Sequence, residues 1–166
     1  MPLDVAGKRL SNGDVAVGGG AAVALIASFL PWTTYTQTLQ PAFGIPGGTS
    51  SNSVNAFGGW SGGLFFLVLL VVLVLFAVRW FGWEGLPALT VADFKIYAGA
   101  GAVMVLLALL FIPTTSNSDS YLNGTLSSST GAGLIIALLA ALAICVGGYL
   151  KREDSQPANQ APPPAA

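Results

Sequence analysis

The chain has 166 residues, of which 54% are hydrophobic and only 8% are charged. Soluble domains carry about 25% charged residues, so there is too little polar surface here for a water-facing globule, and a net charge of −1 gives no pull toward nucleic acid. Histidine is absent, which removes imidazole proton relays and metal sites. The single cysteine, Cys145, excludes a disulfide within the chain.

Residues 1–14 form a short polar lead. Lys8 and Arg9 precede the first apolar run, but that run ends in "SFLPW" and not in a small-x-small cleavage site, so it is expected to stay as a span. In "RLSNGD" (9–14) Ser11 stands three residues before Asp14, the spacing of a capping box. The hydroxyl accepts an orphan amide of the first turn, and the carboxylate reaches back to the cap. The first run, 15–30, carries Gly20, Ala24 and Ser28 at four-residue spacing, a small face suited to close helix contact. Pro31, in "FLPW", stops the helix, since proline lacks an amide and restricts the residue before it.

A long uncharged stretch, 33–59, follows and is expected to be an outer loop. With the aromatics that flank it, it offers Trp32, Tyr35, Gln37, Asn55 and Trp60 as ligand contacts, because rings framed by amides suit sugars or lipid headgroups. The second run, 62–78, has no small face and is expected to look at lipid. Trp60 before it, and Trp80, Phe81 and Trp83 after it, sit at aromatic-belt positions. The inner loop 79–95 reads as a turn hugging the interface. It contains "ALTVAD" (88–93), in which Thr90 and Asp93 repeat the Ser11–Asp14 spacing.

The third run, 97–112, opens on Ala98–Ala102, all Ala or Gly, and ends in "FIP" followed by Thr114-Thr115, as "FLPW" is followed by Thr33-Thr34. Residues 114–130 read as a Ser/Thr/Asn linker in an outer loop, with the sequon Asn123-Gly124-Thr125. The fourth run, 131–150, places Gly133, Ala137, Ala141 and Cys145 on one small stripe. The tail 151–166 is rich in Pro and Ala and is expected to be disordered and cytoplasmic.

No run contains Asp, Glu, Lys or Arg. With four crossings, all six basic residues (Lys8, Arg9, Arg79, Lys95, Lys151 and Arg152) fall on one side, and the positive-inside rule makes that side the cytoplasm. The expected fold is an all-α membrane protein, a four-transmembrane-helix bundle of residues 15–150 with both termini inside. The repeated caps and prolines suggest two tandem helical hairpins, 9–80 and 88–152, related by an axis along the membrane normal.

"RLSNGD", "FLPW" and "NAFGGW", in this order, resemble a group of small uncharacterised four-span membrane proteins of actinobacteria. The resemblance covers about residues 9–80 and implies a bacterial plasma membrane; it brings no catalytic residues. The residues themselves offer no catalytic constellation, no metal site and no cofactor site. The expected role is a non-catalytic accessory or scaffold subunit of a cell-envelope complex, whose partners are the lipid bilayer and a larger membrane complex or a second copy of the chain. The alternatives are a sensor or binding protein using 33–59, and a holin-like pore.

Overall fold

Four long helices and pairs of antiparallel strands make up the computed structural model, which describes residues 3–5, 8–41, 46–81, 93–112, 119–121 and 124–154. The order is β1 (Leu3–Val5), β2 (Lys8–Leu10), α1 (Asn12–Phe29), β3 (Thr33–Leu39), β4 (Gly48–Val54), a 3-10 turn (Ala56–Gly58), α2 (Trp60–Phe81), α3 (Asp93–Phe111), β5 (Asp119–Tyr121), β6 (Gly124–Thr130) and α4 (Ala132–Asp154).

The start of α1 is a complete capping box. The Asp14 amide donates to Ser11 Oγ at 3.1 Å, and the Ser11 amide donates to Asp14 Oδ2 at 3.3 Å. Its end is set by proline: Leu30, just before Pro31, leaves the helix with φ −77° and ψ 160°, and its amide donates to Ala27 O at 3.2 Å. The end of α3 repeats this corner, with the Ile112 amide donating to Leu109 O at 3.1 Å. Several sequence-based expectations fall outside the described residues: Thr90, Pro113, Thr114-Thr115, Asn123, most of the inner loop and residues 155–166 of the tail.

α1 lies against α4 and α2, and α3 lies against α4 and α2. Their shared core includes Val17, Ala21 and Ala24 of α1, Met104 and Ala108 of α3, and Leu134, Ala137, Ala141 and Ile144 of α4. α2 contributes Phe65, Leu69 and Val72, an i, i+4, i+7 stripe, while Leu67, Val71 and Val74 remain exposed. Missing side chains bring α4 close to two neighbours. A Cβ on Gly20 would stand 2.9 Å from Ala140 O, and one on Gly101 would stand 2.6 Å from the Cys145 amide nitrogen. Gly20, Ala24 and Ser28 are buried on α1, as are Gly133, Ala137 and Ala141 on α4. The Ser28 hydroxyl is satisfied locally, donating to Ala24 O at 2.8 Å.

Among the described residues, three helices are long and apolar enough to cross a membrane: Asn12–Phe29, Trp60–Trp80 and Ala132–Lys151. The apolar part of α3, Lys95–Phe111, is shorter. At the helical rise it covers about 25 Å, against a hydrocarbon core of about 30 Å. α1 and α4 also run past the charge-free stretches, so that Asp14 and Lys151 are helical residues.

The all-α expectation is corrected here, because both stretches read as outer loops contain strands. β3 is central, pairing antiparallel with β4 on one side and β6 on the other, and β5 extends β6; the order is β4-β3-β6-β5. β-Branched threonines at every second position of "TTYTQTL" suit a pleated strand, and cross-strand amides satisfy a backbone that has no apolar face to bury. A second, two-stranded sheet joins β1 and β2, with Leu3 opposite Leu10. The large sheet does not follow the expected duplication. Two tandem hairpins would make β3 equivalent to β5 and β4 to β6, yet the central pair is β3 with β6.

Candidate functional site

Chain direction places the ends of α1 and α3 and the starts of α2 and α4 on the side of the large sheet. Trp32 joins the two layers. It is fully buried, its indole Nε1 donates to Ala27 O at 2.8 Å, and its ring meets Phe65 and Phe111 edge-on at 5.1 and 5.0 Å between centroids. Its backbone bridges two further segments: the Trp32 amide donates to Val54 O at 2.8 Å, and its carbonyl accepts from the Gly131 amide at 2.7 Å. One residue therefore ties together the exit of α1, the end of β4, the entry to α4, and one ring each from α2 and α3. Trp32 has no surface left for a ligand, contrary to the expectation from its position beside the loop.

The other expected contacts separate. Tyr35 and Gln37 lie on one face of the sheet, since alternate residues of a strand share a face. Asn52 and Ser128 stand opposite Tyr35, and Ser50 and Leu126 stand opposite Gln37. Tyr35 is 42% exposed. The reverse face carries hydroxyls alone across the three long strands: Thr34 between Ser53 and Ser129, Thr36 between Ser51 and Ser127, and Thr38 between Thr49 and Thr125. Asn55 belongs to neither face. Its Oδ1 accepts from the Phe57 amide at 3.1 Å and caps the 3-10 turn. Trp60, 72% exposed, starts α2 and belongs to no strand of the sheet.

Beside Asn55 an open groove of about 280 Å³ is lined by Phe29, Pro31, Ser53, Val54 and Asn55. Its aromatic flank is a cluster of three rings. The Phe57 centroid lies 5.5 Å from that of Phe29 and 4.9 Å from that of Phe66.

At the opposite end of the helices Lys151 Nζ lies 2.6 Å from Asp14 Oδ1 and 4.6 Å from the centroid of the Tyr97 ring. The Lys151 side chain is 5% exposed and that of Asp14 16%. The same Asp14 carboxylate accepts from Ser11 Oγ at 3.0 Å. Sequence reading places these residues on one side but misses their meeting, because the contact requires α1 and α4 to be neighbours. The paired inner flanks of the first and last runs were the available signal. Among the described residues no three His, Cys, Asp or Glu side chains come together in a way that would hold a metal ion. Cys145 is a half-buried thiol without a disulfide partner.

No family model matches this chain, and no curated protein matches it.

Proposed function

We propose that the protein is a non-catalytic scaffold of the bacterial plasma membrane, crossing it four times with both termini in the cytoplasm and holding on the outer side a β-sheet that carries no basic residue and one acid, Asp119. The observation that carries this reading is the junction at Trp32, where both halves of the chain join to fix the sheet on the helix ends. The described polar contacts serve internal structure, and a platform whose one charged residue is Asp119 is left facing outward for a partner envelope protein. α3 counts as the fourth span because it traverses the same depth as its neighbours: Tyr97 reaches Lys151 at one end and Phe111 reaches Trp32 at the other. Arg79, Lys95 and Lys151 all lie toward the end away from the sheet, which supports an inner location for that end. Among the described buried side chains the polar ones are Ser28, Thr33, Ser61 and Lys151, and these form no continuous polar stripe along one helix, which argues against a water-filled pore.

The register of Tyr35, Gln37 and Asn52 on one face favours a second reading, a binding surface for a small hydroxylated ligand. One set of measurements separates the readings. In a Cys145→Ala background, Ser51→Cys and Ser127→Cys should label from outside intact cells, and Ser155→Cys should not. A photo-crosslinker at Gln37 should then give a discrete protein adduct in native membranes if the sheet is a scaffold. Labelling of Ser155→Cys in intact cells refutes the topology, and a Gln37 crosslink to glycan alone favours the second reading.

A further inference from the structure

We propose that the groove between Phe29 and Asn55 binds an outer-leaflet lipid with an uncharged glycosyl headgroup, holding its glycerol and first sugar. The inference rests on the membrane placement given above and goes beyond the scaffold role. The groove lies where α1 ends and α2 is about to begin, at the level at which two membrane-length helices leave the hydrocarbon.

It continues the lipid-facing surface without a break. Val23, Ile26 and Phe29 are 44%, 65% and 62% exposed and follow one another at three-residue spacing along α1, forming a track for an acyl chain that leads into the groove. Phe29 and Pro31 form the apolar side. Ser53 and Asn55 form the polar side. Because Asn55 Oδ1 already accepts from the Phe57 amide, the side-chain amide is fixed with its NH2 group as the remaining donor. The Ser53 hydroxyl lies on the exposed end of β4 and adds a group that both donates and accepts.

The volume, about 280 Å³, is just below the roughly 300 Å³ at which pockets begin to enclose drug-sized ligands. It suits part of a headgroup, with the acyl chains left in the bilayer. Charge decides the lipid class. Residues 33–59 contain no charged side chain, and 114–130 contain no Lys or Arg and one acid, Asp119. A phosphate at the groove would meet no cation from either segment, whereas sugar hydroxyls and ester carbonyls match neutral donors and acceptors.

The test uses the full chain reconstituted in nanodiscs containing equal amounts of monoglucosyl-diacylglycerol and phosphatidylglycerol. The lipid retained after mild detergent extraction is quantified by mass spectrometry. Wild type should retain the glycolipid over phosphatidylglycerol on the order of tenfold, because a phosphate entering the groove loses hydration with no cation to replace it, while sugar hydroxyls keep neutral partners. Asn55→Ser keeps a neutral side-chain acceptor that can cap the 3-10 turn but removes the NH2 donors without adding charge, and should return the ratio to that of the bulk. Ser53→Trp, which fills the groove, should do the same, while Ser51→Ala, two residues up the strand, should retain wild-type selectivity. A bulk ratio in wild type, preference for phosphatidylglycerol, or unchanged selectivity in Asn55→Ser overturns the lipid site. If Ser51→Cys still labels from outside in that event, the membrane topology stands and the lipid inference alone fails. Labelling of Ser51→Cys only from the cytoplasmic side overturns both.

Discussion

Lys151 of α4 and Asp14 of α1 form a 2.6 Å ion pair that joins the first and last helices at the end away from the sheet. Tyr97 closes it from α3, its ring 4.6 Å from the ammonium. A pair this shielded is poorly screened by salt, and losing one member strands the other in a low-dielectric site. Lys151→Met should therefore destabilise the protein by about 3–5 kcal/mol in denaturant melts in detergent. Asp14→Asn/Lys151→Met, which removes both charges, should be less harmful than Lys151→Met alone. A double variant whose loss equals the sum of the losses of Lys151→Met and Asp14→Asn measured singly would show that the two charges are not coupled.

Neighbouring glycines should respond in opposite directions to alanine. At Gly19 and Gly99 an added Cβ meets nothing within 4 Å, so alanine should stabilise through helix propensity by up to about 1 kcal/mol. At Gly20 and Gly101 the same methyl would press on the backbone of α4, and alanine should cost about 1–3 kcal/mol. Thermal melts of the four single variants check this, and equal shifts for Gly19→Ala and Gly20→Ala, or for Gly99→Ala and Gly101→Ala, would contradict the helix faces described above.

Replacing Trp32 tests the junction between sheet and helices. Trp32→Phe keeps an aromatic ring but deletes the side-chain donor to Ala27 O, which still accepts from the Leu30 amide, and should cost about 0.5–1.5 kcal/mol. Trp32→Ala also empties the space between Phe65 and Phe111, and should cost about 3–5 kcal/mol. Trp60→Ala, at a 72% exposed position, is the control and should be near neutral in detergent.

The helices were legible because membrane-length apolar runs, the Ser11–Asp14 cap and the Pro31 stop are local signals, and each is a property of one stretch of chain. The sheet was harder to read. Its strands have no apolar face, so the alternation that usually marks a strand is missing; only the threonines at 34, 36 and 38 carried a two-residue period. The β3–β6 pairing joins residues more than eighty positions apart, and nothing within either stretch specifies it. The same limit hid the Asp14–Lys151 contact and the burial of Trp32. A tryptophan at a helix end reads as an interfacial anchor until the strands that cover it are known.

The final prediction concerns that long-range pairing, on which the platform depends. Tyr35 stands opposite Ser128, and Ser127 stands opposite Thr36, so Tyr35 and Ser127 point to opposite faces of the sheet. Opposed residues of antiparallel strands have Cα atoms about 4.5–5.5 Å apart, within the span of a disulfide. In a Cys145→Ala background, Tyr35→Cys/Ser128→Cys should oxidise to an internal cross-link and Tyr35→Cys/Ser127→Cys should not. With a protease site placed in the 82–92 segment, the cross-linked chain should stay one species on a non-reducing gel after cleavage and separate into two on reduction. Efficient cross-linking of the mismatched pair would mean a register shifted by one residue. That shift would exchange the hydroxyl face for the face bearing Tyr35 and Gln37 along one half of the sheet.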